Sequence, residues 1–257
     1  MRINGLTRSQ RLWISLAGTL TLAGGVHANP IAFAYTGDLG PGFWGELDVL
    51  TEACGADTRQ SPIDLRRSKK DKSLEALDLD LHETEIHLVN NGHTLELEYE
   101  RGSTLILDGT RYDLLQYHFH TLSEHTLRGR RFPMEMHAVF ADPRDGKLAV
   151  IGQFFDIDDD DEENEFLAHI DDHLPTMEGT EYRSPAEVNL AEGLVNTKRY
   201  ITYDGSLTTP PCSPIVTWIV LKKTAKMSRA QFATFRDILG NNFRPLQDLN
   251  GRELRRR

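Results

Sequence analysis

The sequence predicts a mainly β domain with short peripheral helices, organised around one large, mostly antiparallel twisted β-sheet. Apolar and polar residues alternate along short runs such as 93–100, which is the period of a half-buried strand. The turn signals Asn90-Asn91-Gly92 and Asp108-Gly109 separate such runs, so neighbouring strands are expected to pair as hairpins. If an N-terminal segment of 28 residues is removed, 229 of the 257 residues remain, a length that one large all-β domain accommodates.

The remaining elements follow from the same patterns. The predicted strands, in order, are 85–89, 93–100, 104–107, 111–120, 135–141, 148–155, 200–203 and 215–221. Short helices are predicted within 162–173, where apolar residues recur at helical intervals, and after the capping residue Ser228. We interpret 35–59 as an irregular segment on the core, the acidic run 156–165 as a solvated loop, and the tail 252–257 as frayed.

The N-terminus has the pattern of a secretory signal peptide. Three arginines precede an apolar run from Leu12 to Val26, which ends in the small-residue pattern Val26-His27-Ala28. The run is shorter than the roughly 20 residues that a membrane-spanning helix needs. We therefore predict residues 1–28 as the signal peptide and residues 29–257 as one domain, located in the periplasm or secreted, with no membrane partner after cleavage.

The net charge limits the classes of binding partner, and the cysteine content indicates the redox compartment. Removing three arginines and no acidic residue moves the formal net charge from −10 to −13, which argues against nucleic acid as a partner. Cys54 and Cys212 are the two cysteines, and in an oxidising compartment two cysteines so far apart predict one disulfide, with two buried free thiols as the alternative. A homodimer is a candidate assembly.

The stretch 116–120 predicts a pair of histidines on one face of a strand. Because side chains alternate between the two faces, His118 and His120 point the same way. A second run of the same period, 135–141, follows a turn signal and carries His137, which can lie beside that pair on the neighbouring strand. Three imidazoles with one open position suit a catalytic zinc ion.

The residues just before these histidines fit the same interpretation. A metal-bound histidine usually donates its second N–H to an acceptor. Gln116 and Glu135 each stand two residues before a histidine and face the same side of the strand. Both are therefore predicted to orient a ligand.

Two alternatives remain at this point. The first is that these are ordinary strand histidines. The second is a cupin, in which a His-x-His pair, a carboxylate about four residues later and a third histidine hold iron on a double-stranded jelly roll. His118, His120 and Glu124 fit that pattern, although no Pro-x-Gly segment leads to His137.

Four separated segments resemble the alpha-class carbonic anhydrases, and the resemblance runs from about Tyr35 to Leu249. The segments are Gln116 to His120, Ser123-Glu124-His125-Thr126, Glu135-Met136-His137 and Ser206-Leu207-Thr208-Thr209-Pro210-Pro211. The cupin alternative leaves the last segment unexplained. The resemblance implies a secreted enzyme that reversibly hydrates carbon dioxide to bicarbonate and a proton, and the short connection between His120 and Glu124 is similar to that of bacterial members.

The resemblance also implies a role for individual residues. His118, His120 and His137 would bind Zn²⁺, whose hydroxide attacks carbon dioxide, while Thr208 accepts a hydrogen bond from that hydroxide and donates one to Glu124. Gln116, Glu135 and the backbone carbonyl of Asn242 would orient the three ligands. The implied substrate-binding residues are Val139, Val150, Leu207, Thr208, Thr209, Val216 and Trp218. The implied proton path comprises Tyr35, Asn91 and His93, with His93 as the shuttle, and Cys54 and Cys212 match the disulfide pair of secreted members.

This sequence departs from the family pattern at two positions of the site. Thr121 stands where many vertebrate members have tryptophan, and Glu96 replaces an amide that usually lines the pore. We expect the carboxylate of Glu96 to raise the pKa of His93. The competing hypothesis for function is a catalytically silent, secreted zinc-binding protein of the same fold, and the presence of all three ligands and Thr208 argues against it.

Overall fold

One sheet of 13 strands forms the centre of the computed structural model, which describes residues 31–257. The predicted signal peptide, 1–28, lies outside the described residues. The strands are β1 (Lys69–Lys70), β2 (Asp78–Asp80), β3 (Thr84–Asn90), β4 (Leu95–Glu98), β5 (Thr104–Leu107), β6 (Thr110–His120), β7 (Met134–Ala141), β8 (Leu148–Ile157), β9 (Glu181–Val188), β10 (Tyr200–Gly205), β11 (Val216–Leu221), β12 (Ala225–Met227) and β13 (Arg255–Arg256).

The strand order is β1-β13-β10-β11-β8-β7-β6-β4-β3-β9, while β5 pairs with β2 and β6, and β12 pairs with β8. Within this sheet β8 is parallel to β11 and β12, and β1 is parallel to β13, whereas the other pairings are antiparallel. The predicted mainly β fold with a mostly antiparallel sheet is confirmed.

The helices are short and peripheral. They are α1 (Ala53–Ala56), α2 (Glu165–Ala168), α3 (Leu190–Gly193) and α4 (Arg229–Leu239), with 3-10 turns at Gly37–Leu39, Trp44–Glu46, Val49–Thr51 and Asp171–His173. Ser228 caps α4 in a reciprocal pair with Gln231, as its position predicted. The helix predicted within 162–173 is instead split into α2 and a 3-10 turn.

Strand alternation divides the residues of β6 and β7 between two faces. One face carries the apolar side chains and packs on the helices: the ring of Tyr117 lies 5.4 Å from that of Phe166 on α2, and the ring of Phe119 lies 4.8 Å from that of Phe235 on α4. The other face carries Gln116 and the three predicted ligands. The core thus supports the site from behind, through the same strands that supply it.

One prediction needs correction, and one strand was missed. The tail is not frayed, because β13 pairs with β10 and β1 and Leu254 is only 3% exposed. The strand β9, which follows no clean alternation and contains Pro185, was not predicted and pairs with β3 at the edge of the sheet. Both depend on pairing with strands distant in sequence.

The predicted disulfide between Cys54 and Cys212 is present. It joins α1 to the loop between β10 and β11 across 158 residues of sequence. Such bonds are typical of proteins from oxidising compartments. Within residues 31–257, no helix is long and apolar enough to cross a membrane.

Candidate active site

The three predicted histidines converge on one face of the sheet. His118 and His137 are register partners on β6 and β7, and His120 follows two residues along β6. Each offers a ring nitrogen, and the three nitrogens lie within 4.8 Å of one another. His120 and His137 are each 1% exposed. This is the donor set that a catalytic zinc ion takes.

Hydrogen bonds determine which nitrogen of His118 and His120 is free. His118 Nδ1 donates to Gln116 Oε1 at 2.8 Å, and His120 Nδ1 donates to the backbone carbonyl of Asn242 at 2.7 Å. Each Nε2 is therefore left with its lone pair. Burial, together with the neighbouring imidazoles, holds the pKa of His118 well below its ordinary value, and burial also lowers the pKa of His120. Both rings are neutral, which is the form that binds a metal.

Glu135 takes up the other nitrogen of His137. His137 Nε2 lies 3.0 Å from Glu135 Oε1, although not aligned as a hydrogen bond, so its Nδ1 faces the other two ligands. Burial alone would raise the pKa of Glu135, but the neighbouring imidazoles of His125 and His137 outweigh it and hold that pKa well below normal, with the hydrogen bond from His125 contributing. A Cβ on Gly152 would lie 3.0 Å from Glu135 Oε1, so a glycine there leaves room for the carboxylate.

A buried hydrogen-bond chain behind Glu135 was not predicted from the sequence. His125 Nδ1 lies 2.8 Å from Glu135 Oε1, so His125 Nε2 accepts from Tyr203 Oη at 2.6 Å. The Tyr203 oxygen in turn lies 2.9 Å from Ser61 Oγ, and the Ser61 N–H donates to Ser206 Oγ. His125 belongs to a segment that carries the resemblance, but the spacing of these residues gave no sign that they meet.

Glu124 lies beside the ligands with one oxygen unsatisfied. Its Oε1 accepts the backbone N–H of Arg244 at 2.8 Å. Its Oε2 is buried without a partner, 3.6 Å from His120 Nε2 and 3.9 Å from His137 Nδ1. Thr208 is buried in the loop after β10, but its hydroxyl does not make the predicted hydrogen bond to Glu124 Oε2 in the structure of residues 31–257. Orphaned buried atoms on both Glu124 and His120 fit a metal and a polar group that are held between them.

An apolar wall lies next to the ligands. Val139, Val150 and Trp218 are register partners on the adjacent strands β7, β8 and β11. Val139 follows His137 by two residues, so it faces the same side of the sheet. The Trp218 ring lies 4.8 Å from the His137 ring, and its Nε1 donates to the Ser206 carbonyl. The other predicted pocket residues are placed on β11 or on the loop before it: buried Val216 and half-buried Leu207 and Thr209.

The predicted proton path lies in the turn before β4 and in the N-terminal segment. The half-buried His93 ring stacks on Phe33 at 3.8 Å between ring centres. Burial, and then the charge of Glu124, raise the pKa of Tyr35 well above its ordinary value, and its hydroxyl is buried without a partner. Asn91 Oδ1 accepts the backbone N–H groups of His93 and Thr94, so this oxygen serves the turn.

The expected influence of Glu96 on His93 is wrong. Burial lowers the pKa of His93, and the carboxylate that opposes this effect is Glu178. Glu96 is 9% exposed, and burial followed by the charge of Glu98 raises its own pKa to about 7. Sequence analysis missed Glu178 because its loop comes from a part of the chain that strand alternation does not connect with His93.

Arg244 is another buried residue that the sequence did not single out. Its guanidinium donates to Gln60 Oε1 and the Ser61 carbonyl, each at 2.7 Å, and to the Cys54 carbonyl at 2.9 Å. Burial lowers its pKa to about 10, against the charge of Glu124. Arg244 thereby fixes the segment that presents its own N–H to Glu124.

The fold and the site together define a single-sheet protein with a buried three-imidazole centre. The family model for eukaryotic-type carbonic anhydrase matches residues 39–257. The carbonic anhydrase of Nostoc sp. is 36% identical over 230 residues, which cover 88% of this chain and 86% of that protein.

Solved structures agree. The alpha-carbonic anhydrase of Photobacterium profundum superimposes with a TM-score of 0.81 at 35% identity, covering 87% of this chain and 100% of that one. The enzyme of Thermovibrio ammonificans, solved with the inhibitor sulfanilamide, gives 0.82 at 35% identity, covering 90% and 100%. The chain belongs to the eukaryotic-type, or alpha, carbonic anhydrase family, and it is an enzyme, a lyase. This result replaces the cupin alternative, since the sheet is one continuous layer rather than a jelly roll.

Proposed function

We propose that this protein catalyses the reversible hydration of carbon dioxide to bicarbonate and a proton, with Zn²⁺ held by His118, His120 and His137. One observation supports the proposal most directly. Each of the three rings has one nitrogen next to a hydrogen-bond acceptor, and the remaining nitrogens lie within 4.8 Å of one another. Zinc bound there supplies a water molecule with a pKa near 7, so that hydroxide is available at neutral pH.

Thr208 and Glu124 orient the nucleophile in this proposal. An ionised carboxylate can only accept a hydrogen bond, whereas a hydroxyl can both donate and accept. When Thr208 donates to the free Oε2 of Glu124, its oxygen is left to accept the proton of the nucleophile, which directs the reactive lone pair elsewhere. Arg244 supports this arrangement, because its backbone N–H already occupies the other oxygen of Glu124.

Apolar side chains receive the substrate, and His93 removes the proton. Carbon dioxide has no net dipole, so the wall of Val139, Val150 and Trp218 beside His137 suits it. An imidazole titrates close to neutral pH, so His93 can exchange a proton with solvent there, although burial lowers its pKa.

We also propose that residues 1–28 direct export and that residues 29–257 work as the mature catalytic domain in the periplasm or outside the cell. The proposal is supported by the N-terminal sequence pattern and by the disulfide between Cys54 and Cys212. Mass measurement of the exported protein tests it, since cleavage after Ala28 is expected.

The central experiment is metal analysis combined with stopped-flow carbon dioxide hydration on the purified exported protein. We expect stoichiometric zinc, hydration that is lost when a chelator removes the metal, and recovery when Zn²⁺ is returned. Stoichiometric zinc without hydration would instead establish the silent zinc-binding protein. Hydration that survives complete zinc removal would contradict the proposed metal role.

A further inference from the structure

Hydrogen bonds hold the backbone of His93, while its ring is stacked on an aromatic side chain. Asn91 Oδ1 accepts the His93 N–H at 3.0 Å, and the side chain of Asn242 donates to the His93 carbonyl at 3.0 Å. The imidazole itself lies flat on Phe33, at an angle of 14° between the ring planes. The hydrogen bonds thus hold the main chain of His93, while Phe33 covers one face of its ring.

A loop from a distant part of the chain is held against this turn. Asn90 donates through its side chain to the Pro175 carbonyl at 3.0 Å and through its N–H to the Thr180 carbonyl at 3.0 Å. The N–H of Gly179 donates back to the Asn90 carbonyl at 2.8 Å. These three bonds hold the segment 175–180 against the turn, and with it the backbone of Glu178, whose side chain is exposed.

The carboxylate of Glu178 lies directly on the residue that precedes His93. A Cβ built on Gly92 would lie 2.6 Å from Glu178 Cδ and 2.7 Å from its Oε1. Gly92 also has a φ of +84°, which a side chain would disfavour. The positive φ favours glycine in this turn, and the missing side chain leaves room for the carboxylate beside it.

We propose that Glu178 is a positioning residue for His93: its carboxylate attracts the protonated imidazole and so sets how readily this ring carries a proton to solvent. The inference rests on the proposed function, in which His93 is the shuttle. The neighbours that hold His93, which are Phe33, Asn91 and Asn242, are uncharged. Glu178 is the charged side chain that acts on the ring in the described part of the chain.

The sign of the effect follows from two opposing influences. Burial lowers the pKa of His93, and the negative charge of Glu178 raises it. Removing that charge should therefore lower the pKa of His93 further below its ordinary value. A weaker proton acceptor slows transfer from the site to the ring, by up to about threefold.

The test is an NMR titration of the His93 imidazole in the zinc-loaded protein, with its signal assigned by loss in His93→Ala. We expect Glu178→Gln to lower the pKa of His93 and Glu178→Lys to lower it further, with both differences shrinking in high salt. Met177→Gln, on the same loop, and Glu187→Gln, an exposed carboxylate on β9, are the matched controls and should leave it unchanged.

Turnover in a concentrated, bulky buffer that cannot enter the site gives the second measurement. There kcat should fall in Glu178→Gln while kcat/KM for hydration stays constant. An unmoved His93 pKa in Glu178→Gln, or an equal fall in Met177→Gln, overturns the inference even if the wild-type protein is fully active. A wild-type protein without hydration instead contradicts the proposed function, and the titration still decides whether Glu178 acts on His93.

Discussion

His120 and His93 are both held by Asn242, yet their surroundings differ in the way their proposed roles require. The Asn242 carbonyl accepts from the ring of His120, whereas the Asn242 side chain donates to the backbone of His93. His120 is thus fixed through its imidazole and has one nitrogen left. His93 is fixed through its main chain, and its ring is left to stacking. A metal ligand needs a fixed atom, and a proton carrier needs a ring that can move.

The carboxylates near these two histidines differ in the same way. Glu124 and Glu135 lie beside the three clustered histidines, which we call the inner end of the site, and both are fully buried. Glu178 lies beside the turn that carries His93, which we call the outer end, and it is exposed. Charges in a buried site interact strongly, while an exposed charge is screened by water and salt. Substitutions at the inner end should therefore have large effects, and those at the outer end small ones.

The largest expected effect separates the two histidines directly. His120→Ala should lose most of its bound zinc, because it removes one of three ligands, whereas His93→Ala should keep it. Gln116→Ala should retain zinc with affinity weakened about 10–100-fold, since it removes only the partner of His118. Metal analysis after dialysis against graded chelator measures all three.

Equal zinc loss in His120→Ala and Gln116→Ala would contradict the assignment of one as ligand and the other as its orienting partner. Zinc loss in His93→Ala would remove the proposed distinction between the two ends. Circular dichroism on each variant checks that the sheet is intact.

The second expected effect concerns Thr208, which is not one of the three proposed metal ligands. Thr208→Ala should keep zinc but slow hydration by roughly 10²-fold, the usual scale for losing one orienting hydrogen bond. Thr208→Ser retains the hydroxyl and should recover most of the rate. Unchanged stopped-flow hydration in Thr208→Ala would remove this residue from the mechanism.

What could be predicted from the sequence is the part that depends on neighbours along a strand. Alternation alone put His118 and His120 on one face, and the period of β7 brought His137 into register with His118. The orientation of His118 by Gln116 also needed only a two-residue spacing. These relations hold within one strand pair, so no knowledge of the rest of the fold was needed.

The parts that were missed depend on segments far apart in the chain. Glu178 reaches His93 only because Asn90 binds the loop at 175–180. Arg244 reaches Cys54 across 190 residues of sequence. No local period connects such residues. The tail is ordered for the same reason, because β13 pairs with β1 and β10, which precede it by many residues.

The third expected effect concerns the disulfide between Cys54 and Cys212, which connects the two ends of the site. The disulfide lies in a cluster with Trp44, against which Phe33 and Tyr35 pack, and Cys212 shares its loop with Thr208. The double variant Cys54→Ser, Cys212→Ser should lose about 2–5 kcal/mol of unfolding free energy. For a domain of this size that lowers Tm by about 4–20 °C.

Thermal melts with and without reductant provide the measurement and its control. Reductant should bring the wild-type Tm down toward that of the double variant and leave the double variant unmoved. Two free thiols in the exported protein, or equal melting temperatures, would argue against a stabilising bond.

The smallest expected effect comes from Glu96, which lies between the two regions as the register partner of His118. Burial, and then the charge of Glu98, raise the pKa of Glu96 to about 7 from an ordinary value of 4.5. Between these two pH values the folded protein holds a proton that the unfolded chain has released. The free energy of unfolding should therefore fall as pH rises from 4.5 through 7, by up to about 3 kcal/mol.

Glu96→Gln removes this titration, because an amide stays neutral at every pH. Urea unfolding of the zinc-free protein should give equal stability for variant and wild type at pH 4.5 and a more stable variant at pH 8. Zinc must be absent, since metal binding adds a pH dependence of its own. The exposed Glu187→Gln is the matched control, and its curve should run parallel to that of the wild type. Parallel curves for Glu96→Gln as well would mean that this carboxylate is as well solvated in the folded protein as in the unfolded chain, and the inner region would then be less shielded from water than its burial implies.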